Sequence, residues 1–246
     1  MRRTTTETTD ERAVSEVIAF ILVFAIILGS VGFLYVVGFD SMQTYQENEQ
    51  LGNAERAMDA MADNFNDVAR YDGIESRSGE LSARGGTVRA SAESTNLTIE
   101  DEDGSFELNG EPLEDIELGI LEYEAGGEVI SYEGGGVFKG SDDYDGSVTL
   151  SEPMLKCGDE TAIITVVQID VDQERSLTAD GLVEIDVDQV DATRTTKSVD
   201  GNVSISVDED SPTNEMAWDR SIEEAGLDDC AVDRVSIHLV TIEVDY

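Results

Sequence analysis

The 246 residues carry 55 acidic and 15 basic side chains, for a formal net charge of −40. No basic patch stands out along the sequence and phosphate would be repelled, so the composition argues against a nucleic-acid partner. Apolar residues in β-like alternation recur along much of the chain, which argues against an acidic disordered protein. Charge at this density repels itself in dilute buffer and is screened at molar salt, where the Debye length is ~3 Å. The composition therefore points to a halophile, and an archaeon is expected.

Residues 1–13 are polar, threonine-rich and expected to be unstructured. Residues 17–39 then read VIAFILVFAIILGSVGFLYVVGF, with no charge. At ~1.5 Å per residue this run reaches ~34 Å, enough to cross a hydrocarbon core. In lipid its backbone must satisfy its own hydrogen bonds, so the run is predicted to be helical. Arg2, Arg3 and Arg12 precede it, and no basic residue follows before Arg56. The positive-inside rule then leaves the N-terminus in the cytoplasm and residues 40–246 outside, in a single-pass arrangement. An ordinary secretory signal has a shorter apolar core and a small-x-small cleavage site after it. Here Gly29-Ser30-Val31-Gly32 lies inside the run. Ala25 and Gly29 form a small-xxx-small pair that would admit a close helix neighbour, a candidate assembly contact.

The helix is expected to continue beyond the membrane. Leu51, Ala54, Met58, Met61, Phe65 and Val68 have the alternating 3 and 4 spacing of a short heptad seam. That seam either packs on the protein's own β domain, the favoured reading, or on another subunit. Gly38 and Gly52 are candidate breaks, and Asp72-Gly73 is the expected stop.

From residue 80 short alternating runs take over. Strands are predicted at 87–92, 96–100, 105–108, 116–123, 128–132, 147–150, 162–171, 183–187, 203–207 and 235–244. Turn signals separate them, among them Asp103-Gly104, Ala125-Gly126-Gly127, Asp145-Gly146, Asp180-Gly181 and Asp200-Gly201. One short helix interrupts the pattern, opened by Pro212, with Trp218, Ile222 and Ala225 on one face and Gly226 at its end. The predicted fold class is α+β: a long N-terminal membrane-spanning helix followed by an all-β, sandwich-like extracytoplasmic domain. Its parts are a cytoplasmic leader (1–13), the transmembrane helix (14–39), an amphipathic extension (40–72) and an acidic β-rich outer domain (73–246).

Little in the sequence points to catalysis. There is no Gly-x-Ser-x-Gly, no phosphate-cradling glycine loop and no zinc-protease helix, so no enzyme is expected. The sole histidine, His238, alternates with Ile237 and Leu239 and is expected on a sheet face. Cys157 and Cys230, an even pair in an outer domain, are expected to form a disulfide. No organic cofactor is implied. Calcium is the one candidate ligand, at Asp142, Asp143 and Asp145 ahead of Gly146, with Asp101-Glu102-Asp103-Gly104 as a second acidic loop. Asn96-Leu97-Thr98 and Asn202-Val203-Ser204 are glycosylation sequons.

The stretch from Asp10 to Phe24, DERAVSEVIAFILVF, places charges, a small residue and then the apolar run. It resembles the class III signal of archaeal type IV pilin precursors. There a membrane-embedded prepilin peptidase cuts ahead of the apolar segment and leaves that segment on the mature protein. By this resemblance the cut falls between Ala13 and Val14. Haloarchaeal pilins usually read Arg-Gly/Ala-Val-Ser-Pro-Val-Ile, and this chain reads Arg12-Ala13-Val14-Ser15-Glu16-Val17-Ile18, with Glu16 in place of proline. The resemblance gives Glu16 a candidate assembly role, pairing with the new amino terminus of a neighbouring subunit. A solvated acid favoured by the helix dipole is the simpler reading. With the Ile130-to-Phe138 segment, ISYEGGGVF, and Glu152-Pro153, the chain looks like a family of uncharacterised haloarchaeal pilin-like proteins. The resemblance implies a membrane-anchored surface protein whose partners are the membrane, a prepilin peptidase and other pilin subunits, either joining a filament as a minor subunit or remaining in the membrane. The alternative is an uncleaved single-pass binding protein whose β domain takes a glycan, a partner protein or calcium.

Overall fold

The computed structural model describes residues 8–246 apart from 103, 109–110, 142–143, 172 and 209–213, with backbone alone at 8–14, 39–48, 105, 111, 144–145 and 200. The chain forms two compact units, Met1–Glu49 and Gln50–Tyr246. Helix α1 (Thr8–Arg70) begins in the first unit and ends in the second. Residues 8–13, expected to be unstructured, are therefore helical, and Asp10 and Glu11 near its start suit the positive end of the helix dipole. Gly38 and Gly52 do not break it. A Cβ at either would meet nothing within 4 Å, and a helical glycine costs only ~1 kcal/mol relative to alanine. The helix stops where expected: Tyr71 N–H donates to Asp67 O at 3.0 Å and Gly73 takes φ +91°.

The seam on the last turns of α1 packs within its own unit. Leu51, Ala54, Met58, Met61, Phe65 and Val68 are all buried, Phe65 completely. After the helix come β1 (Ser76–Ser82), β2 (Thr87–Ser91), β3 (Asn96–Asp101), the short β4 (Gly104–Ser105), β5 (Glu107–Leu108), β6 (Glu111–Pro112) and β7 (Ile116–Glu117), then β8 (Ile120–Ala125). The hairpin of β9 (Glu128–Glu133) and β10 (Gly136–Ser141) follows, then β11 (Tyr144–Ser151), β12 (Leu155–Cys157), β13 (Thr161–Asp170), β14 (Arg175–Thr178) and the 26-residue β15 (Leu182–Val207). Helix α2 (Glu215–Ala225) and β16 (Cys230–Asp245) complete the chain. One sheet has the order β11-β10-β9-β8-β2-β14 and is antiparallel throughout; the other runs β12-β13-β16-β15-β3-β4, with β1 also on β15 and β7 also on β3. In the second sheet β13 and β16 are parallel.

The strand boundaries differ from expectation at two glycines. The predicted strand 116–123 is cut into β7 and β8 at Gly119 (φ +64°), where a Cβ would stand 2.2 Å from Ile169 O. The predicted strands 183–187 and 203–207 are the two ends of β15, because Gly201 (φ +143°) sits at a bulge and not in a turn. The glycine triplet is a two-residue hairpin: Gly134 and Gly135, both with positive φ, reverse the chain between paired Glu133 and Gly136.

Two cores result. The first gathers the α1 seam, Tyr123 and Tyr132 of one sheet, and Val167, Ile185, Val240 and Ile242 of the other. The second gathers Trp218 and Ile222 of α2, Phe138, Ala162, Ile164, Val235 and Ile237. Side chains alternate along a strand, so β13 gives Ala162, Ile164 and Val166 to the second core from one face and Val167 and Ile169 to the first from the opposite face. β16 switches in step, from Val235 and Ile237 to Val240, Ile242 and Val244.

Candidate functional site

The apolar segment is the feature with the plainest consequence. Within α1, Ser15–Gly38 is long and apolar enough to cross a membrane, with mean hydropathy 2.9 and none of it buried against protein. Phe20 and Phe24 stack one turn apart, with ring centroids at 6.1 Å. Ser30, the hydroxyl inside the run, donates to Ile27 O at 2.9 Å, so its polar group is satisfied within the helix. Ala25 is exposed, and a Cβ on Gly29 would meet nothing within 4 Å, so the small-residue pair lies on an open surface. Glu16 is exposed at the start of the span. The Ala13–Val14 bond lies within helical backbone.

In the outer domain Cys157 and Cys230 are disulfide-bonded, joining β12 to the first residue of β16. Disulfides belong to oxidising compartments. Together with the apolar helix, this one points to an extracytoplasmic domain.

Sequence reading passed over a fully buried carboxyl group. Glu133, at the end of β9, is fully buried. It accepts from Thr95 N–H at 2.6 Å, Thr95 Oγ1 at 3.1 Å, Asn214 Nδ2 at 2.9 Å and Trp218 Nε1 at 3.0 Å. Burial holds its carboxyl above the ordinary range, and those donors pull the other way. The cluster ties β9 to the start of α2, since Asn214 stands at the N-cap position of that helix, where its backbone carbonyl accepts from Trp218 N–H at 2.9 Å, while its side chain donates to Ser131 Oγ at 3.0 Å. It is sealed from solvent, so its chemistry is structural. A second buried bridge runs from Tyr132, whose hydroxyl donates to Asn66 Oδ1 at 2.9 Å, to Asn66 Nδ2, which donates to Gly135 O at 2.8 Å. Its only advance signal was the ISYEGGGVF segment; among so many acids, Glu133 itself carried none.

The other predicted positions lie apart from one another. His238 sits on a partly open sheet face beside Arg194, whose guanidinium donates to its Nδ1 at 3.2 Å; burial and that positive charge lower its pKa, while Asp72 raises it. Trp218 is fully buried against Phe138, with ring centroids at 5.3 Å, as a packing anchor. Asn96 and Asn202 are half-buried on β3 and β15, and the amide of Asn202 donates to Asp229. Asp142, Asp143 and Asp103 lie outside the described residues, as does the side chain of Asp145. Asp101 contacts Lys197 at 3.4 Å. Among the described residues no group of three or more His, Cys, Asp or Glu is placed to hold a metal ion.

An N-terminal helix able to act as span or signal, followed by a disulfide-bearing acidic β domain, defines a protein with an extracytoplasmic β domain behind an apolar N-terminal helix. The chain belongs to a family of unknown function, DUF7289, which matches residues 12–246 and so takes in the Ala13–Val14 junction, the apolar segment and the β domain together. Neither a curated protein nor a solved structure gives a significant match.

Proposed function

We propose that this is a type IV pilin-like surface protein, cut by a prepilin peptidase between Ala13 and Val14 and held in the membrane by the apolar helix. The carrying observation is the junction itself: charges, a small residue and then an apolar segment of membrane length on one uninterrupted helix. Cleavage there removes the arginine-bearing leader and leaves the hydrophobic segment on the mature chain. The acidic domain is then presented outside, where its disulfide is stable. Partners in this reading are the lipid bilayer, the peptidase and other pilin subunits, with this chain as a minor subunit; Ala25 and Gly29, one turn apart, share a helix face that a neighbouring helix would approach, and Glu16 stands two residues from the new amino terminus. No catalytic role is assigned to the β domain.

The test is the N-terminus of the protein extracted from its native membrane, read by intact mass. A start at Val14 is expected, and Ala13→Trp should accumulate the uncut precursor. A start at Met1 or Arg2, or normal maturation of Ala13→Trp, would overturn the processing and leave a plain membrane anchor.

A further inference from the structure

Because β13 and β16 change their buried face midway, the eight-stranded sheet has two uncovered areas, on opposite faces and towards opposite ends. On the first, register sets Lys156 beside Ile163, Ile163 beside Ser236, and Ser236 beside Thr196. The adjacent rows place Arg234 opposite Ser198 and His238 opposite Arg194. Lys156, Arg194 and Arg234 are exposed, and none has an ion pair among the described residues. Ile163, 47% exposed, lies among them. These registered positions hold no carboxylate; Asp72, just past α1, borders the patch near His238. In a chain of net charge −40, this face gathers three of the 15 basic residues and the sole histidine.

The second area is its opposite in sign. Asp170 faces Glu243, Glu243 faces Asp188, Asp186 faces Asp245, and Glu80 faces Glu184 across adjacent strands. Like charges directly opposite one another are destabilising. Arg175 relieves Asp245 at 2.6 Å, while the other six have no ion pair among the described residues. A depression of about 500 Å³, lined in part by Ser76, Ser78, Asp186, Asp188 and Asp245, opens here.

We propose that copies of this chain associate head to tail, the basic face of one sheet seated on the acidic face of the next. Opposite faces of one sheet are matched by a near-translation, so the contact repeats instead of closing. Translation also keeps every copy in the same orientation, as copies anchored in one membrane require. The charges select a second copy because its own surface supplies the complementary carboxylates. At low salt the net charge of each copy opposes the contact; molar salt screens distant charges more than touching ones. The contact lies beyond the pilin-like reading and does not depend on cleavage at Ala13.

The test uses the full chain in detergent micelles, by sedimentation velocity across a salt series up to molar concentrations. Three forms are compared: wild type, R194E/R234E and D186K/D188K, each checked for folding by circular dichroism. Wild type should assemble at high salt. Either reversal should weaken assembly about a hundredfold, since like charges across an interface cost several kcal/mol. Mixing the two reversed proteins should restore complexes, because the first keeps a native acidic face and the second a native basic one. A wild type that stays monomeric at every salt concentration would overturn the proposal. So would reversed variants that assemble like wild type, as association through the apolar helices alone would give, or a folded mixture that does not recover.

Discussion

Breaking the Cys157–Cys230 bond tests how the outer domain is held. The two residues are 73 apart in sequence, and closing a loop of that length removes about 4 kcal/mol of denatured-state entropy at 25 °C. Cys230 is 1% exposed, so C157A/C230A should add a packing loss of about 1 kcal/mol or less. For a domain of roughly 200 residues each kcal/mol moves Tm by about 2–4 °C, which predicts a fall of about 10–15 °C. Calorimetry of the full chain in detergent at molar salt, on the variant and on wild type with and without reductant, reads this directly. A loss below about 1 kcal/mol in both would refute the loop-entropy argument, because it would mean that the unfolded chain is no freer without the bond.

Three further outcomes are expected. In E133Q an amide meets four donors built around a carboxylate, which should cost about 1–3 kcal/mol by chemical denaturation. Because the folded carboxyl titrates above its unfolded value of about 4.3, the folded state keeps a proton that the unfolded chain loses, so this group's contribution is largest in acid and falls as pH rises. The difference between wild type and E133Q should therefore shrink between that pH and the raised folded value, and a difference that grows there would contradict the assignment. Phe65→Ala, which empties a fully buried site on the α1 seam, should cost about 3–5 kcal/mol; a loss under about 1 kcal/mol would remove the seam from the core. Gly134→Ala forces a Cβ to within 2.4 Å of Trp218 at φ +60°, and should cost about 2–4 kcal/mol by urea unfolding while Gly126→Ala, open on every side, costs less.

The apolar segment and the heptad seam were legible in the sequence because period and length alone define them. The short helix was equally plain: Trp218 and Ile222 are buried and Gly226 ends it at φ +69°. Strands with little apolar content were not visible. β1 reads Ser-Arg-Ser-Gly-Glu-Leu-Ser, and Gly79 is there because Met61 lies where its Cβ would be. β14 is exposed at every residue and pairs only as an edge. The Asp200-Gly201 pair looks the same in sequence whether it turns the chain or bulges a strand; only the long partner β16 decides it. The basic face was invisible because Lys156, Arg194 and Arg234 come from three strands far apart in the chain and are brought together by register.

The change of buried face along β13 and β16 has a consequence for how the outer domain comes apart. Val166 belongs to one core and Val167, its neighbour, to the other. Neither core can open without pulling these strands from the register that the other requires. Residues from Gln50 onward should therefore unfold cooperatively, as one unit under heat or force. Their slowest-exchanging amides should sit at Val166 and Val167, where the same two peptide groups are locked from above and below.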